Sequence, residues 1–217
     1  MERHRITSAY DGLDIGFAVA RPKTAPKAVL QLVHGMCGCK ERFEPVMEYM
    51  AANGVACIAS DLRGHGESVR SLDDLGYMYE GGYKALVSDL RQISQWGHSE
   101  FPELPYFLLG HSMGSFISRL YVAEHPHSVS GIIIHGTGGP NPLVGVGKLL
   151  AKVIRSFYGS HHRSNLINNM AFGSYNSRFP KEEGANAWLT RDIARVAGRD
   201  TDEFTSYKFT VSGYIDL

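Results

Sequence analysis

Residues 105–114 read P-Y-F-L-L-G-H-S-M-G, and this stretch decides the fold. A short apolar run ends in the pattern G-x-S-x-G, and residues with helical spacing follow. This order is typical of a nucleophile elbow, where a strand turns sharply into a helix and strains the backbone of the serine at the corner, here Ser112. Gly110 and Gly114 give such a crowded corner the room it needs. The alternative is an ordinary Gly-Ser turn, but the flanking strand and helix favour the elbow.

Length and composition fit one globular domain with an insertion. A chain of 217 residues can bury one substantial core. Lys plus Arg and Asp plus Glu total 22 each, so no excess of charge favours nucleic acid or an acidic partner. No early apolar segment resembles a signal peptide, and no run approaches the ~20 apolar residues that span a bilayer. We therefore expect a soluble, cytoplasmic protein that does not bind nucleic acid.

The three cysteines, Cys37, Cys39 and Cys57, have no spacing that suits zinc. We expect them to be reduced and structural, and the alternative is that Cys37 is a thiol near an active site. The sequence contains no G-x-G-x-x-G, no phosphate loop and no metal-ligand spacing. We therefore expect neither a cofactor nor a metal.

Strand and helix patterns alternate from the N-terminus to His135. The predicted strands are residues 6–10 and 15–20, joined as a hairpin by Asp11-Gly12, then 28–34, 55–60, the elbow strand and 129–135. The predicted helices are residues 40–53, 83–96 and 113–125. Such alternation predicts an α/β fold with a mostly parallel sheet and helices on both faces. Beyond Gly136 the pattern is helical or irregular, so we predict a core over residues 1–139 and a helical cap over residues 140–217.

Three loops follow predicted parallel strands and should meet at the carboxyl edge of the sheet. They are residues 34–38, 61–68 and 110–114. The first, H-G-M-C-G, can point a backbone N–H at a developing oxyanion. In the second, D-L-R-G-H-G-E-S, we expect Asp61 and Arg63 to pair and hold the turn, with His65 packed beside them, rather than to act in catalysis.

With these motifs in this order and a helical insertion after them, the chain resembles the α/β-hydrolase superfamily. Within it, the chain is similar to the branch of monoacylglycerol lipases, lysophospholipases and serine aminopeptidase-like proteins. The resemblance implies that Ser112 is the nucleophile and that the backbone N–H groups of Met36 and Met113 form the oxyanion hole. The residues implied to support the site are His34, Gly35, Gly110 and Gly114. His111 is implied to pack against a neighbouring strand rather than to act as the base.

The resemblance also implies an acid and then a histidine after late sheet strands. No Asp or His after Ser112 follows a late strand in this sequence. We interpret the chain as lacking roughly 60 or more C-terminal residues, enough for two further strand-helix units. For this chain alone we therefore expect hydrolysis of p-nitrophenyl butyrate barely above buffer.

The resemblance implies a serine hydrolase that cleaves carboxylic esters through an acyl-enzyme on Ser112. Lipid esters such as monoacylglycerols or lysophospholipids are favoured, because residues 143–158 interleave apolar side chains with Lys148, Lys152 and Arg155. That pattern suits acyl chains or a membrane surface, although helices that pack on a sheet are ordinarily amphipathic as well. Two alternatives stay open: an aminopeptidase-like or other amide hydrolase, and a non-catalytic fragment or binding protein of the same fold.

Overall fold

The computed structural model describes residues 1–184 and 186–217. Its strands are β1 (Glu2–Thr7), β2 (Asp14–Ala20), β3 (Ala28–Val33), β4 (Val55–Ser60), β5 (Tyr106–His111) and β6 (Gly131–His135). Within the described residues they form a six-stranded sheet in the order β1-β2-β4-β3-β5-β6. The pairs β4–β3, β3–β5 and β5–β6 are parallel, and the hairpin β1–β2 joins β4 in antiparallel fashion at one end. The prediction of a mostly parallel sheet with an N-terminal hairpin at its edge is confirmed.

Helices cover both faces of this sheet. Their bounds are α1 (Glu44–Ala52), α2 (Gly82–Glu100), α3 (Met113–Glu124), α4 (Val144–Tyr158), α5 (Asn165–Phe172), α6 (Ile193–Thr201) and α7 (Val211–Asp216). Leu30 and Leu32 of β3 pack with Met47 of α1, whereas Val33 packs with residues of α2 and α3. Because side chains alternate along a strand, α1 lies on one face and α2 and α3 lie on the other. The predicted α/β class is confirmed.

The predicted helix over residues 40–53 is divided in two. Lys40–Phe43 form a 3-10 turn, and α1 begins only at Glu44, with Pro45 in its first turn. Proline fits the first turn of a helix because its missing N–H would have no intrahelical partner there. The break therefore follows from the position of Pro45.

Strand β6 lies at the outer end of the sheet and is less buried than the sequence predicts. Ile133 at its centre is 49% exposed, and no other strand of the described residues pairs with its outer edge. The run of isoleucines predicts a strand that is buried on both faces. Because β6 lies at the edge of the sheet, some of its side chains are instead exposed to solvent. An unpaired apolar edge of this kind favours aggregation.

The segment beyond β6 contains α4 to α7 and, within the described residues, no strand. Ala151 of α4 is buried against Ile215 of α7, and Phe209 belongs to the core cluster that includes Val33. This segment therefore packs on the α2 and α3 side of the sheet. The division into a core of residues 1–139 and a cap of residues 140–217 stays a prediction. No helix of the described residues has the length and apolarity needed to cross a bilayer.

Candidate active site

Ser112 stands at the corner between β5 and α3 with φ 53° and ψ −119°. This is a left-handed conformation that a non-glycine residue adopts only under strain. The Ser112 N–H donates to the carbonyl oxygen of His135 on β6 at 2.9 Å, and the Ser112 carbonyl accepts from the Ser115 N–H at 2.9 Å. These two bonds hold the strained corner between β6 and the first turn of α3.

Two glycines make the corner sterically possible. A Cβ on Gly114 would overlap the carbonyl oxygens of Val33 and His34 at the end of β3. A Cβ on Gly110 would overlap the Ser118 hydroxyl and the backbone of α3. Both positions therefore admit only glycine, because α3 begins in direct contact with the strands beneath it.

The loop of residues 34–38 lies against the elbow. A Cβ built on Gly35 would be only 2.9 Å from the Ser112 Cβ, so the two backbones are in close contact. Cys37 has φ 50°, and the Gly38 N–H donates to the Gly35 carbonyl at 3.1 Å, which closes the loop into a tight turn. Met36 follows Gly35, the residue of this loop that lies against Ser112.

Met113 follows Ser112 as the first residue of α3. The N–H groups of a helix's first turn have no intrahelical acceptor. Met113 is buried and Met36 is half-buried. Met36 packs against the core cluster that contains Met113. That the N–H groups of these two residues form an oxyanion hole stays a prediction.

His34 connects the loop beside Ser112 to the loop that follows β4. Its ring is buried, Nδ1 donates to the Gly35 carbonyl at 2.8 Å, and Nε2 accepts from the Leu62 N–H at 3.0 Å. Both contacts are satisfied by one neutral tautomer. Burial, and next the adjacent His65, hold the pKa of His34 well below its ordinary value. A permanently neutral ring with both nitrogens occupied is a structural support.

The second loop is held by partners that differ from the predicted ones. Asp61 does not pair with Arg63; its Oδ2 accepts from Lys40 Nζ at 2.8 Å. Arg63 instead binds Asp89 of α2 at 2.7 Å and Asp11 of the hairpin turn at 2.8 Å. The prediction was wrong because the two side chains diverge, Asp61 toward the segment before α1 and Arg63 toward α2 on the opposite face.

His65 packs beside these groups, as predicted. Its ring lies 5.0 Å from that of His34, and its Nδ1 donates to the Arg63 carbonyl at 3.0 Å. Burial lowers the pKa of His65 to about 4. His65 is thus a neutral packing residue of this loop.

His111 turns toward the neighbouring strand and contacts His135, with 2.8 Å between the two Nδ1 atoms. The expectation that His111 packs against an adjacent strand is confirmed. The role of His135 was missed from the sequence. A signal was nevertheless present, because His111 and His135 end two consecutive parallel strands and are register partners.

Four of the five histidines that follow Ser112 contact other groups, and His127 is exposed. Within residues 1–184 and 186–217, no hydrogen bond joins the Ser112 hydroxyl to a histidine or a carboxylate. The neighbours of these histidines are Tyr121 for His125, His111 for His135, Asp74 for His161 and Tyr158 for His162. The described residues therefore present the corner and its loops without a charge relay to the serine.

The thiols and possible metal ligands add no reactive group. Cys37, Cys39 and Cys57 are free and buried. The Cys37 Sγ donates to the Tyr207 carbonyl at 3.3 Å, and burial raises its pKa to about 12. Among residues 1–184 and 186–217, no three His, Cys, Asp or Glu side chains gather closely enough to hold a metal ion.

The model of the family described as serine aminopeptidase, S33 matches residues 24–217. The chain belongs to the S33 serine aminopeptidase family. Among relatives of this S33 chain, a monoacylglycerol lipase from Mycolicibacterium smegmatis is 33% identical over 148 residues, which are 65% of this chain and 51% of that protein. A monoglyceride lipase from Rattus norvegicus is 34% identical over 117 residues, 52% of this chain and 36% of that protein. The S33 chain thus spans only about a third to a half of the length of these relatives.

Solved structures show the fold of the S33 chain independently. A thermostable carboxyl esterase from Bacillus coagulans superposes with a TM-score of 0.87 at 24% identity, covering 99% of this chain and 71% of that one. A soluble variant of the monoglyceride lipase from Saccharomyces cerevisiae gives a TM-score of 0.74 at 19% identity, covering 98% of this chain and 66% of that one. At these identities the likeness establishes the α/β-hydrolase fold alone.

Proposed function

We propose that this S33-family chain carries the nucleophile and oxyanion hole of a serine ester hydrolase. The observation that carries the proposal is the strained backbone of Ser112, with φ 53°, packed directly against Gly35 of the loop after β3. A strained serine at a strand-to-helix corner exposes its hydroxyl above the sheet, where an ester carbonyl can approach.

In the proposed reaction the Ser112 Oγ attacks the ester carbonyl carbon and its proton passes to a base. Negative charge develops on the carbonyl oxygen, where the N–H groups of Met36 and Met113 stabilise it. The C–O bond of the leaving alcohol then breaks, the alcohol takes the proton, and an acyl-enzyme remains until water hydrolyses it. We assign the base and its acid partner to none of the described residues, because none of their histidines or carboxylates hydrogen-bonds to the Ser112 hydroxyl.

Lipid esters are the proposed substrates. A pocket of about 270 Å³ lies along the first turns of α3. Its lining is mostly apolar and consists of Met78, Tyr83, Leu86, Met113, Phe116, Ile117, Leu120, Lys148, Asp216 and Leu217. The lining includes Met113, the residue after Ser112, and a mostly apolar lining favours an acyl or alkyl group over a charged one. The names of the two lipase relatives point to the same substrate class.

Helix α4 supports contact with a lipid surface. Its buried Ala151 already packs against α7, yet a second row of apolar side chains is open to solvent, with Leu149 65%, Val153 46% and Phe157 80% exposed. Packing on the core therefore does not account for this row. Exposed apolar residues flanked by cations are typical of helices that lie in a membrane interface. The flanking cations are Lys148, Lys152 and Arg155.

A fluorophosphonate probe tests the nucleophile, because it reacts covalently with an activated serine. We expect slow labelling of this chain that disappears in Ser112→Ala and persists in Ser156→Ala, a change at an exposed serine of α4. Hydrolysis of p-nitrophenyl butyrate should stay barely above buffer, since no histidine or carboxylate of the described residues hydrogen-bonds to the Ser112 hydroxyl. Labelling that survives Ser112→Ala would refute the assignment, and a strong Ser112-dependent burst would show that a base is present after all.

Flotation with vesicles of mixed neutral and anionic phospholipid tests the surface contact. We expect the chain to float and the triple variant Lys148→Glu, Lys152→Glu and Arg155→Glu to remain in solution. Lys84→Glu with Arg91→Glu, two exposed sites on α2, is the matched control. Equal flotation of the wild type and the α4 variant would rule out the membrane proposal.

The amide-hydrolase alternative uses the same corner, since acyl transfer from esters and from amides needs the same nucleophile and oxyanion hole. A panel that pairs each ester with its amide, assayed on a chain as long as the lipase relatives, distinguishes the two. If the longer chain leaves Ser112 unlabelled by the fluorophosphonate, the binding-protein alternative replaces both.

A further inference from the structure

His111 and His135 share one hydrogen bond beside the elbow. Their Nδ1 atoms are 2.8 Å apart and their ring centroids are 5.0 Å apart. A bond between two imidazole Nδ1 atoms requires a proton on one of them and a lone pair on the other. The observed contact therefore contains one Nδ1–H donor on one ring and one Nδ1 acceptor on the other.

Both histidines are also connected to the backbone of Ser112. His111 precedes Ser112 directly in the chain, and the His135 carbonyl accepts the Ser112 N–H at 2.9 Å. The His111 ring reaches the loop after β3 as well, because a Cβ on Gly35 would lie 3.4 Å from His111 Cδ2. A change in the separation of the two rings would thus act on the strained corner from both sides.

The groups around the pair disfavour a positive charge on both rings at once. His111 faces His135 from β6, Arg42 from the turn before α1, and His34 at the end of β3. Burial, then His135 and then Arg42, lower the pKa of His111 below its ordinary value. Two imidazolium rings at this distance would repel each other, and neither could accept the other's Nδ1–H.

We propose that His111 and His135 form a proton-dependent switch that positions Ser112. While at least one ring is neutral, its Nδ1 accepts the Nδ1–H of the other ring, and this bond draws the ends of β5 and β6 together and holds the serine corner. On acidification the first proton from solvent enters at the free Nε2 of the donor ring and keeps the bond. The next proton enters at the acceptor Nδ1, which breaks the bond and loosens the contact between the Ser112 N–H and the His135 carbonyl. The two histidines are positioning residues, and their effect on catalysis rests on the proposed function.

Nuclear magnetic resonance of the 217-residue chain, labelled with ¹⁵N, tests the switch without any activity. The imidazole nitrogens and the Ser112 backbone amide are followed from about pH 8 to about pH 5. We expect the Ser112 amide shift to follow the titration curve of the His111 ring. A Ser112 amide that does not move with the His111 ring overturns the proposal.

His135→Asn removes the imidazole partner while leaving the backbone carbonyl that accepts from Ser112. In this variant we expect the pKa of His111 to rise toward its ordinary value, because His135 is one of the groups that lower it, and the Ser112 amide to lose its pH dependence. His135→Gln is the second variant should asparagine disturb β6, and His127→Asn, at an exposed histidine, is the control. An unchanged Ser112 titration in a folded His135 variant would also overturn the proposal. If the fluorophosphonate labels Ser112 of the wild-type chain at no pH, that result would instead count against the proposed function alone.

Discussion

Lys40 and Asp61 form a buried ion pair, with 2.8 Å between Lys40 Nζ and Asp61 Oδ2 and side chains 1% and 0% exposed. The Lys40 backbone N–H donates to the other carboxylate oxygen at 2.7 Å. Burial alone would lower the pKa of Lys40, but the adjacent carboxylate outweighs burial and raises it above its ordinary value. The pair therefore connects the segment after residues 34–38 to the start of the loop that follows β4.

Lys40→Met should destabilise the chain by about 3–5 kcal/mol, because it leaves the Asp61 carboxylate buried without its cation. Urea denaturation followed by circular dichroism measures the loss. Lys84→Met removes an exposed lysine from α2 and should change stability by less than about 0.5 kcal/mol. If the two variants are equally stable, the buried pair does not hold the loops together.

Gly35→Ala should lower the labelling rate of Ser112 by a larger factor than it lowers the stability of the fold. The new Cβ would lie 2.9 Å from the Ser112 Cβ, so the loop or the corner must shift by a few tenths of an ångström. We expect labelling of Ser112 by a fluorophosphonate to fall at least tenfold, or about 1.4 kcal/mol in barrier, with a smaller change in unfolding free energy. Gly139→Ala, where nothing lies within 4 Å of the added Cβ, is the control. Equal labelling of both variants would contradict the close packing of the loop.

Acid should destabilise the chain through His65. Its pKa is about 4 when folded and ordinarily 6.5, so the unfolded state binds more protons and stability falls as pH decreases from about 6.5 to about 4. A tenfold change in proton affinity is worth about 1.4 kcal/mol, which makes this contribution about 3 kcal/mol. His65→Phe keeps a ring that cannot be protonated, and its stability should depend less on pH over this window. His127→Asn should retain the wild-type slope, and an equal slope in all three proteins would contradict the prediction.

The native thiols should be almost inert. Burial raises the pKa of Cys37, Cys39 and Cys57 to about 12 each, so roughly one thiol in ten thousand is ionised near pH 8. Ellman's reagent should react slowly with the folded chain and rapidly with three thiols in urea. A fast phase in the native chain that Cys37→Ser removes would instead support a reactive thiol near the elbow.

The parts of the fold that depend on local pattern were predictable from the sequence. Strand β4 was predicted at its observed bounds and β3 to within one residue, because strands buried in a parallel sheet are continuous apolar runs. The elbow was also predictable, since Gly110 and Gly114 are needed at fixed distances from Ser112. Its catalytic role stays a proposal.

Features that depend on which elements become neighbours were not predictable. The partners of Asp61 and Arg63 come from segments on opposite sides of the sheet, and no local pattern in the loop specifies them. The exposure of Ile133 depends on the place of β6 in the strand order, and so does the contact between His111 and His135. Each of these follows from topology rather than from residue type.

The left-handed backbone of Ser112 should lower the melting temperature of the chain. A side chain held in this region costs about 1–3 kcal/mol, and only part of that is recovered by the neighbouring bonds. Ser112→Gly should therefore melt at a higher temperature than Ser112→Ala, which keeps the strain but lacks the hydroxyl, and scanning calorimetry of the two variants measures the difference. The residue proposed as the nucleophile is then also one whose backbone conformation lowers the melting temperature, so the proposed function and heat resistance place opposite demands on this position.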